Sequence, residues 1–374
     1  MTVPSSSSSR HVTPVAMRPP RQGMLDFNAS MTPRPRSTAR EWAIRAGLML
    51  ASLLFTVLLA EALSRLFVPI SDLRENIALD GTRIGDFVQP GAVYRQVSNE
   101  YDALTTITEE GYRVPAVGEN PDIVFVGDSF TFGFGLADDQ TFVAIYCRER
   151  RLHCANLGRP GSGTLREVER LEDFLLRHQW RPREVRLFFF GMSGSFSNGN
   201  DFRDNFDREL RMRQATGGMD PEPLAAGSDQ GGAVEQLIAW QSFLLRHSNL
   251  LRLLKFYAGP MLKSMFVADP GNDRMAVALD ATRRALHKLD ALSGRMGFSY
   301  EIYLIVPVQD ILRGTAAETL QVLNDVAPKP AVATAQIFAD APADYYFAFD
   351  GHLNPEGSRK LAEFMLSRDV AEER

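Results

Sequence analysis

Ser129, His352 and Asp350 are the residues of this chain whose types and settings best suit chemistry. A serine hydroxyl is a weak nucleophile until a base removes its proton, and an imidazole becomes that base when a carboxylate holds its other nitrogen. Ser129 directly follows Gly127-Asp128 and the apolar run Asp122–Val126 (DIVFV), so its hydroxyl is expected at the end of a buried strand. His352 lies in the polar segment Asp350–Asn354 (DGHLN), with Asp350 two residues before it to orient the ring. An ester carbonyl under attack also needs donors for its developing oxyanion. The Ser129 backbone N–H, the Gly161 backbone N–H and the Asn200 side-chain amide are the candidates. Singly, each of these is an ordinary turn residue; together they describe acyl chemistry.

Other chemistries find less in the chain. The six histidines (His11, His153, His178, His247, His287, His352) have no ligand spacing with carboxylates or cysteines, so no metal and no cofactor is expected. Gly127–Gly135 contains neither G-x-G-x-x-G nor G-K-[ST], which argues against a phosphate loop. Gly191–Ser195 (GMSGS) follows a strand and nearly reads as the nucleophile turn of α/β-hydrolases, but its last position is Ser and no oxyanion-loop motif lies upstream.

Positioning these residues requires an alternation of strands and helices. Strands are expected at Asp122–Val126, Leu152–Asn156, Val185–Phe190 and Tyr300–Val306. Helices are expected at Asp139–Arg151, Leu165–His178, Ala276–Arg295, Ala316–Val326 and from Pro355 to about Arg368. Such alternation predicts an α/β fold, a parallel sheet with helices on both faces. In such sheets ligands bind outside the carboxyl ends of the strands. The Gly-rich turns Gly127–Ser129, Gly158–Thr164 and Gly191–Asp201 are expected at such ends.

Residues 71–118 read as a small β-rich lead-in, with turns at Asp80-Gly81, Pro90-Gly91 and Glu110-Gly111. Residues 204–274 break the alternation. A Gly/Pro-rich stretch there leads into the apolar run Ala233–Phe266, read either as an inserted lid or membrane-facing element or as ordinary packing helices.

The chain has 374 residues, 45% of them hydrophobic and 23% charged, enough for a real core. Its net charge of -5 hides an asymmetry, because seven of its arginines fall within residues 1–45 against only Asp26 and Glu41. The remainder is acidic, which excludes the basic face a nucleic-acid partner requires. Residues 1–40, rich in Ser, Pro and Arg, are expected to be disordered. Ala46–Ala60 carries no charge, and with its shoulders the apolar segment 41–70 suffices for a bilayer span. The arginines precede it, so the N-terminus is expected in the cytoplasm and the rest outside. A signal peptide cleaved near Ala60-Glu61-Ala62 is the alternative to an anchor. Cys147 and Cys154 are the only cysteines, and both a disulfide and two buried thiols remain open.

Four segments, in order, resemble the blocks of the SGNH/GDSL hydrolase superfamily. Phe125–Gly133 (FVGDSFTFG) resembles the first block, and Asn156–Thr164 (NLGRPGSGT) the second, with Gly161 at the oxyanion glycine. Gly199-Asn200-Asp201 resembles the third block, with Asn200 at the oxyanion asparagine and Asn198 as its competitor. Asp350–Gly357 (DGHLNPEG) resembles the last, carrying Asp350 and His352. Glu110–Arg113 (EGYR) is similar to the lead-in of bacterial membrane-anchored members.

The resemblance spans about residues 122–365 and departs from the family in two places. Only Gly351 separates Asp350 from His352 where the family usually has two residues, and Met192–Ser197 stretches the third block. The resemblance implies a flavodoxin-like three-layer α/β/α sandwich, extending over 119–374. It also implies a serine esterase acting on an O-acyl ester, with acetyl on an envelope or exported polysaccharide as the expected substrate. An O-acetyltransferase using the same residues, or a non-catalytic polysaccharide-assembly factor, are the alternatives. The expected location is a bacterial cytoplasmic membrane, with one N-terminal helix and the catalytic domain on its outer side. The rings Phe130, Phe132, Phe134, Phe196, Phe202, Tyr345 and Tyr346 could stack on sugar faces, line an acyl pocket or simply pack.

Overall fold

A computed structural model of the protein describes residues 39–67, 75–79, 86–115, 120–191, 200–215, 248–251, 253–254 and 271–372. The chain divides into two compact units, one reaching to Thr56 and one starting at Val57. Helix α1 (Ala39–Phe67) runs through that boundary. Its segment Arg40–Phe67 has a mean hydropathy of up to 2.1 and is long and apolar enough to cross a membrane. Its apolar side chains, among them Leu48, Met49, Leu50 and Phe55, are exposed. Residues 68–70 of the expected span, and residues 1–38 of the expected disordered tail, lie outside the described residues.

In the second unit, β1 (Glu75–Ala78), β2 (Val93–Val97) and β3 (Asp102–Thr106) form an antiparallel sheet in that order. The β2–β3 hairpin closes through Ser98 N–H donating to the Tyr101 carbonyl at 2.9 Å. The second sheet contains β4 (Ile123–Gly127), β5 (Cys154–Asn156), β6 (Glu184–Phe190), β7 (Ser299–Ile305) and β8 (Val332–Ala333). These strands are all parallel, in the order β5-β4-β6-β7-β8. Counted within this sheet the order is 2-1-3-4-5, the doubly wound flavodoxin-like arrangement.

Two faces of the sheet are buried, so its strands are apolar without alternation. Val124, Val126, Leu187, Phe189, Ile302 and Leu304 face one layer. That layer holds α4 (Thr164–Arg177), α5 (Asp201–Ala215) and α6 (Gly271–Met296). Phe125, Phe188, Phe190, Tyr303 and Ile305 face the other layer, built on α3 (Phe142–Arg150) and α9 (Pro355–Glu372). The described residues also form the short helices α2 (Ser129–Phe132), α7 (Val308–Arg313) and α8 (Ala316–Asn324). The three-layer α/β/α arrangement expected from the sequence is the one observed.

Several local expectations differ. The helix read from Asp139 begins at Phe142, because Asp138–Gln140 forms a 3-10 turn and Thr141 caps α3 by accepting from Ala144 N–H at 3.1 Å. The break read from residue 204 falls inside α5, which buries Phe202 and Phe206 and packs Leu210 against the core. That stripe recurs every four residues but is diluted by the charged run around it. Helix α6 begins at Gly271, so the non-alternating segment lies between Ala215 and Gly271; 216–247, Arg252 and 255–270 fall outside the described residues. Of the two open readings for the cysteines, the structure has the disulfide Cys147–Cys154, joining the end of α3 to β5.

Candidate active site

Ser129, Asp350 and His352 meet at the carboxyl end of β4. This is the point where the strand order reverses between β4 and β6, the position at which doubly wound sheets leave a crevice. Ser129 opens α2, held there by Asp128, whose Oδ1 accepts from Phe130 N–H at 2.9 Å. His352 Nε2 lies 2.7 Å from Ser129 Oγ, and His352 Nδ1 is hydrogen-bonded to Asp350 Oδ1. Gly351 makes this close spacing workable. With φ at +82°, it turns the chain back so that the side chains on either side of it converge. The turn is closed by Gly351 N–H donating to the Phe347 carbonyl and Phe347 N–H donating to the His352 carbonyl. Phe130 and Phe134 pack on the imidazole, with ring centroids at 4.8 and 5.1 Å.

The oxyanion candidates lie on the two neighbouring loops. The loop after β5 is anchored by the buried Asn156, which donates from Nδ2 to the Thr131 carbonyl at 2.9 Å and accepts from Gly158 N–H at 3.0 Å. Gly161, further along that loop, has φ at +71° and open space where a Cβ would stand. Asn200 is buried at the start of α5, and its Oδ1 accepts from Phe202 N–H at 3.0 Å. The end that can donate is therefore its amide nitrogen. Asn198, Gly199 and the rival turn Met192–Ser195 lie outside the described residues.

Beneath these loops sit three buried carboxyl groups that the sequence reading did not single out as acids. Burial pushes Asp128 up to about 7, against the pull of the Phe130 amide and of His352. Burial and mutual repulsion with Asp201 and Asp128 hold Glu167 well above the usual carboxylate range. Asp201 is raised by burial and by Asp128. Ser162 donates to Glu167 Oε1 at 3.2 Å and Thr164 to Asp201 Oδ2 at 2.8 Å. Glu167 Oε2 and Asp201 Oδ1 have no hydrogen-bond partner among the described residues. Burial of this kind disfavours the charged form of a carboxyl group.

The lead-in also reaches the site, through Arg113 of the resembling Glu110–Arg113 segment and through Glu100 and Tyr101, which the sequence did not mark. Arg113 is fully buried and donates to the carbonyls of Phe132, Gly133 and Leu136 at 2.5–2.8 Å, with Asp138 as its ion-pair partner. It thereby holds the turn that follows α2. Tyr101 donates to Asp350 Oδ2 at 3.0 Å, and Glu100 accepts from Asp350 N–H at 2.7 Å. Of the aromatic residues considered for sugar stacking, Phe130, Phe132, Phe134, Phe202, Tyr345 and Tyr346 are at most 9% exposed, so they pack; Phe196 lies outside the described residues.

No family model matches the sequence, and neither does any curated protein. Solved structures give distant likenesses. An alpha/beta hydrolase enzyme from the metagenome of Lake Arreo, Spain, is 14% identical, covering 67% of this chain and 95% of its own, with a TM-score of 0.35. An acetyl-xylooligosaccharide esterase from Geobacillus stearothermophilus is 16% identical over the same shares, with a TM-score of 0.34. A carbohydrate esterase family 2 enzyme with a carbohydrate-binding domain, from Corynascus thermopiles (Myceliophthora fergusii), is 12% identical. It covers 80% of this chain and 85% of its own, with a TM-score of 0.31. Likeness at this level says nothing about chemistry.

Proposed function

We propose that this protein is a membrane-anchored serine esterase of the SGNH type, cleaving an O-acyl ester through Ser129 and His352. The observation that carries the reading is the 2.7 Å contact of His352 Nε2 with Ser129 Oγ, with Asp350 on the opposite ring nitrogen. In this reading His352 takes the Ser129 proton as Oγ attacks the acyl carbon. The tetrahedral oxyanion is met by the Ser129 and Gly161 backbone N–H groups and the Asn200 amide. His352 then returns the proton to the departing alcohol. Water, deprotonated by the same imidazole, releases the acyl group from Ser129 as the carboxylic acid. Asp350 orients the ring and stabilises its protonated form.

The span-length helix α1 supports an anchor, and the arginines before it support an outward-facing catalytic domain. The Cys147–Cys154 disulfide fits the oxidising side of such a membrane. That location suits an envelope or exported polysaccharide as the bearer of the ester, with acetyl as the acyl group.

The test is p-nitrophenyl acetate turnover by the full chain in detergent, beside Ser129→Ala. The variant is expected to lose activity by roughly a thousand-fold or more. Equal turnover by both proteins would sink the assignment of Ser129. Turnover by neither would favour transfer to a sugar hydroxyl, or binding without chemistry.

A further inference from the structure

The β2–β3 hairpin reaches from the lead-in sheet to the turn that carries Asp350 and His352. We infer that Tyr101 and Glu100, at its tip, are positioning residues that hold Asp350 in the orientation His352 requires. The inference rests on the serine-esterase reading above and extends it to residues outside the resembling blocks.

The contacts are specific. Tyr101 donates from its hydroxyl to Asp350 Oδ2 at 3.0 Å, while Asp350 Oδ1 is engaged by His352 Nδ1. The two carboxylate oxygens therefore have different partners, which fixes the plane of the group. Glu100 accepts from Phe349 N–H at 3.1 Å and from Asp350 N–H at 2.7 Å, which fixes the backbone beneath it. Glu100 is itself set by its own N–H donating to Ser98 Oγ at 3.0 Å. The Tyr101 ring lies 5.0 Å from Phe347 and 6.1 Å from Phe134, and Phe134 in turn packs on the imidazole. Tyr101 as a whole is 8% exposed.

The short Asp350-Gly351-His352 spacing explains the need. A turn with a glycine at positive φ has many alternatives in the unliganded chain, and Gly351 has nothing within 4 Å of the place a Cβ would occupy. Within the turn, His352 Nδ1 engages one carboxylate oxygen, Oδ1. An outside donor on Oδ2 and an outside acceptor on the amides supply the remaining restraint. Restraint of this kind acts on the orientation of the base and so on kcat rather than on substrate affinity.

The test measures two rates on the full chain in detergent. One is p-nitrophenyl acetate turnover. The other is labelling of Ser129 by a fluorophosphonate, in which Oγ–P forms, P–F breaks, fluoride leaves and His352 takes the proton. Tyr101→Phe removes only the hydroxyl and is expected to slow both by roughly ten-fold to a hundred-fold with KM unchanged. Glu100→Ala is expected to do the same and Glu100→Gln, which keeps an acceptor oxygen, to restore most of the rate. In an Asp350→Ala background, Tyr101→Phe is expected to have no further effect. Labelling of Tyr101→Phe at the wild-type rate would overturn the inference. So would an equal loss from Tyr101→Phe with and without Asp350. Labelling at Ser129 without ester turnover would leave the inference standing and remove the esterase reading. A wild-type protein that is not labelled at Ser129 would overturn both.

Discussion

At the scale of single residues, the site sets a half-buried serine and histidine above carboxyl groups that burial pushes upward. Glu167 and Asp201 are each almost wholly buried, each has one oxygen lacking a partner among the described residues, and both are pushed upward by burial. A carboxyl whose pKa is higher folded than unfolded binds its proton more tightly in the fold. Above the unfolded value of about 4.5 the unfolded chain has released that proton while the folded chain keeps it. Stability therefore falls as pH rises from there towards the folded pKa. Glu167→Gln keeps the shape and the Ser162 contact but removes the titration. It is expected to flatten the fall in melting temperature between pH 5 and pH 8, and to melt above the wild type at the alkaline end. A variant with the wild-type slope, or one that melts lower at pH 8, would show that Glu167 is not held protonated. Of these roles, Ser129, His352 and Asp350 were legible from residue type and neighbours alone. Glu167 was not, because an acid within a helix reads as a solvated face until its burial is known.

At the scale of elements, the Cys147–Cys154 bridge ties the end of α3 to β5, the strand that leads into the second resembling segment, across a seven-residue separation. Closing so short a loop in the unfolded chain is worth about 2 kcal/mol in the chain-entropy treatment. The paired variant Cys147→Ala, Cys154→Ala is expected to lower the denaturation free energy by about that amount, and a reducing agent to do the same to the wild type. Unchanged denaturant midpoints in both comparisons would argue that the bridge does not form. The helices and strands around it were largely visible in hydrophobic periodicity, with shifts of a few residues at their ends. Helix α5 was not, since its three core residues are spread through a charged run. Strand β8 spans two residues, Val332–Ala333, too short to leave a period at all.

At the scale of the whole molecule, α1 is the span-length helix found among the described residues, and the α/β domain follows it along the chain. If that helix is an anchor with the arginines on its cytoplasmic side, protease added to intact spheroplasts is expected to digest the chain beyond residue 70 and leave a small protected N-terminal fragment. A full-length chain surviving the protease would rule out the outward placement, and a soluble periplasmic product lacking α1 would favour a cleaved signal.

The sequence by itself determined the α/β class, the order of its main elements and the apolar helix, and it singled out the serine, histidine and aspartate proposed for the site. These follow from local pattern: continuous apolar runs for strands buried on both faces, and polar glycine-rich turns where those runs end. The choice between paired and free cysteines, the reach of the β2–β3 hairpin to Asp350 and the burial of Glu167, Asp201 and Arg113 were decided only by tertiary structure. Each of these depends on residues far apart in sequence, with Tyr101 and Asp350 separated by 249 positions. The free energy of such contacts comes from water excluded by the rest of the fold, which no window along the chain contains.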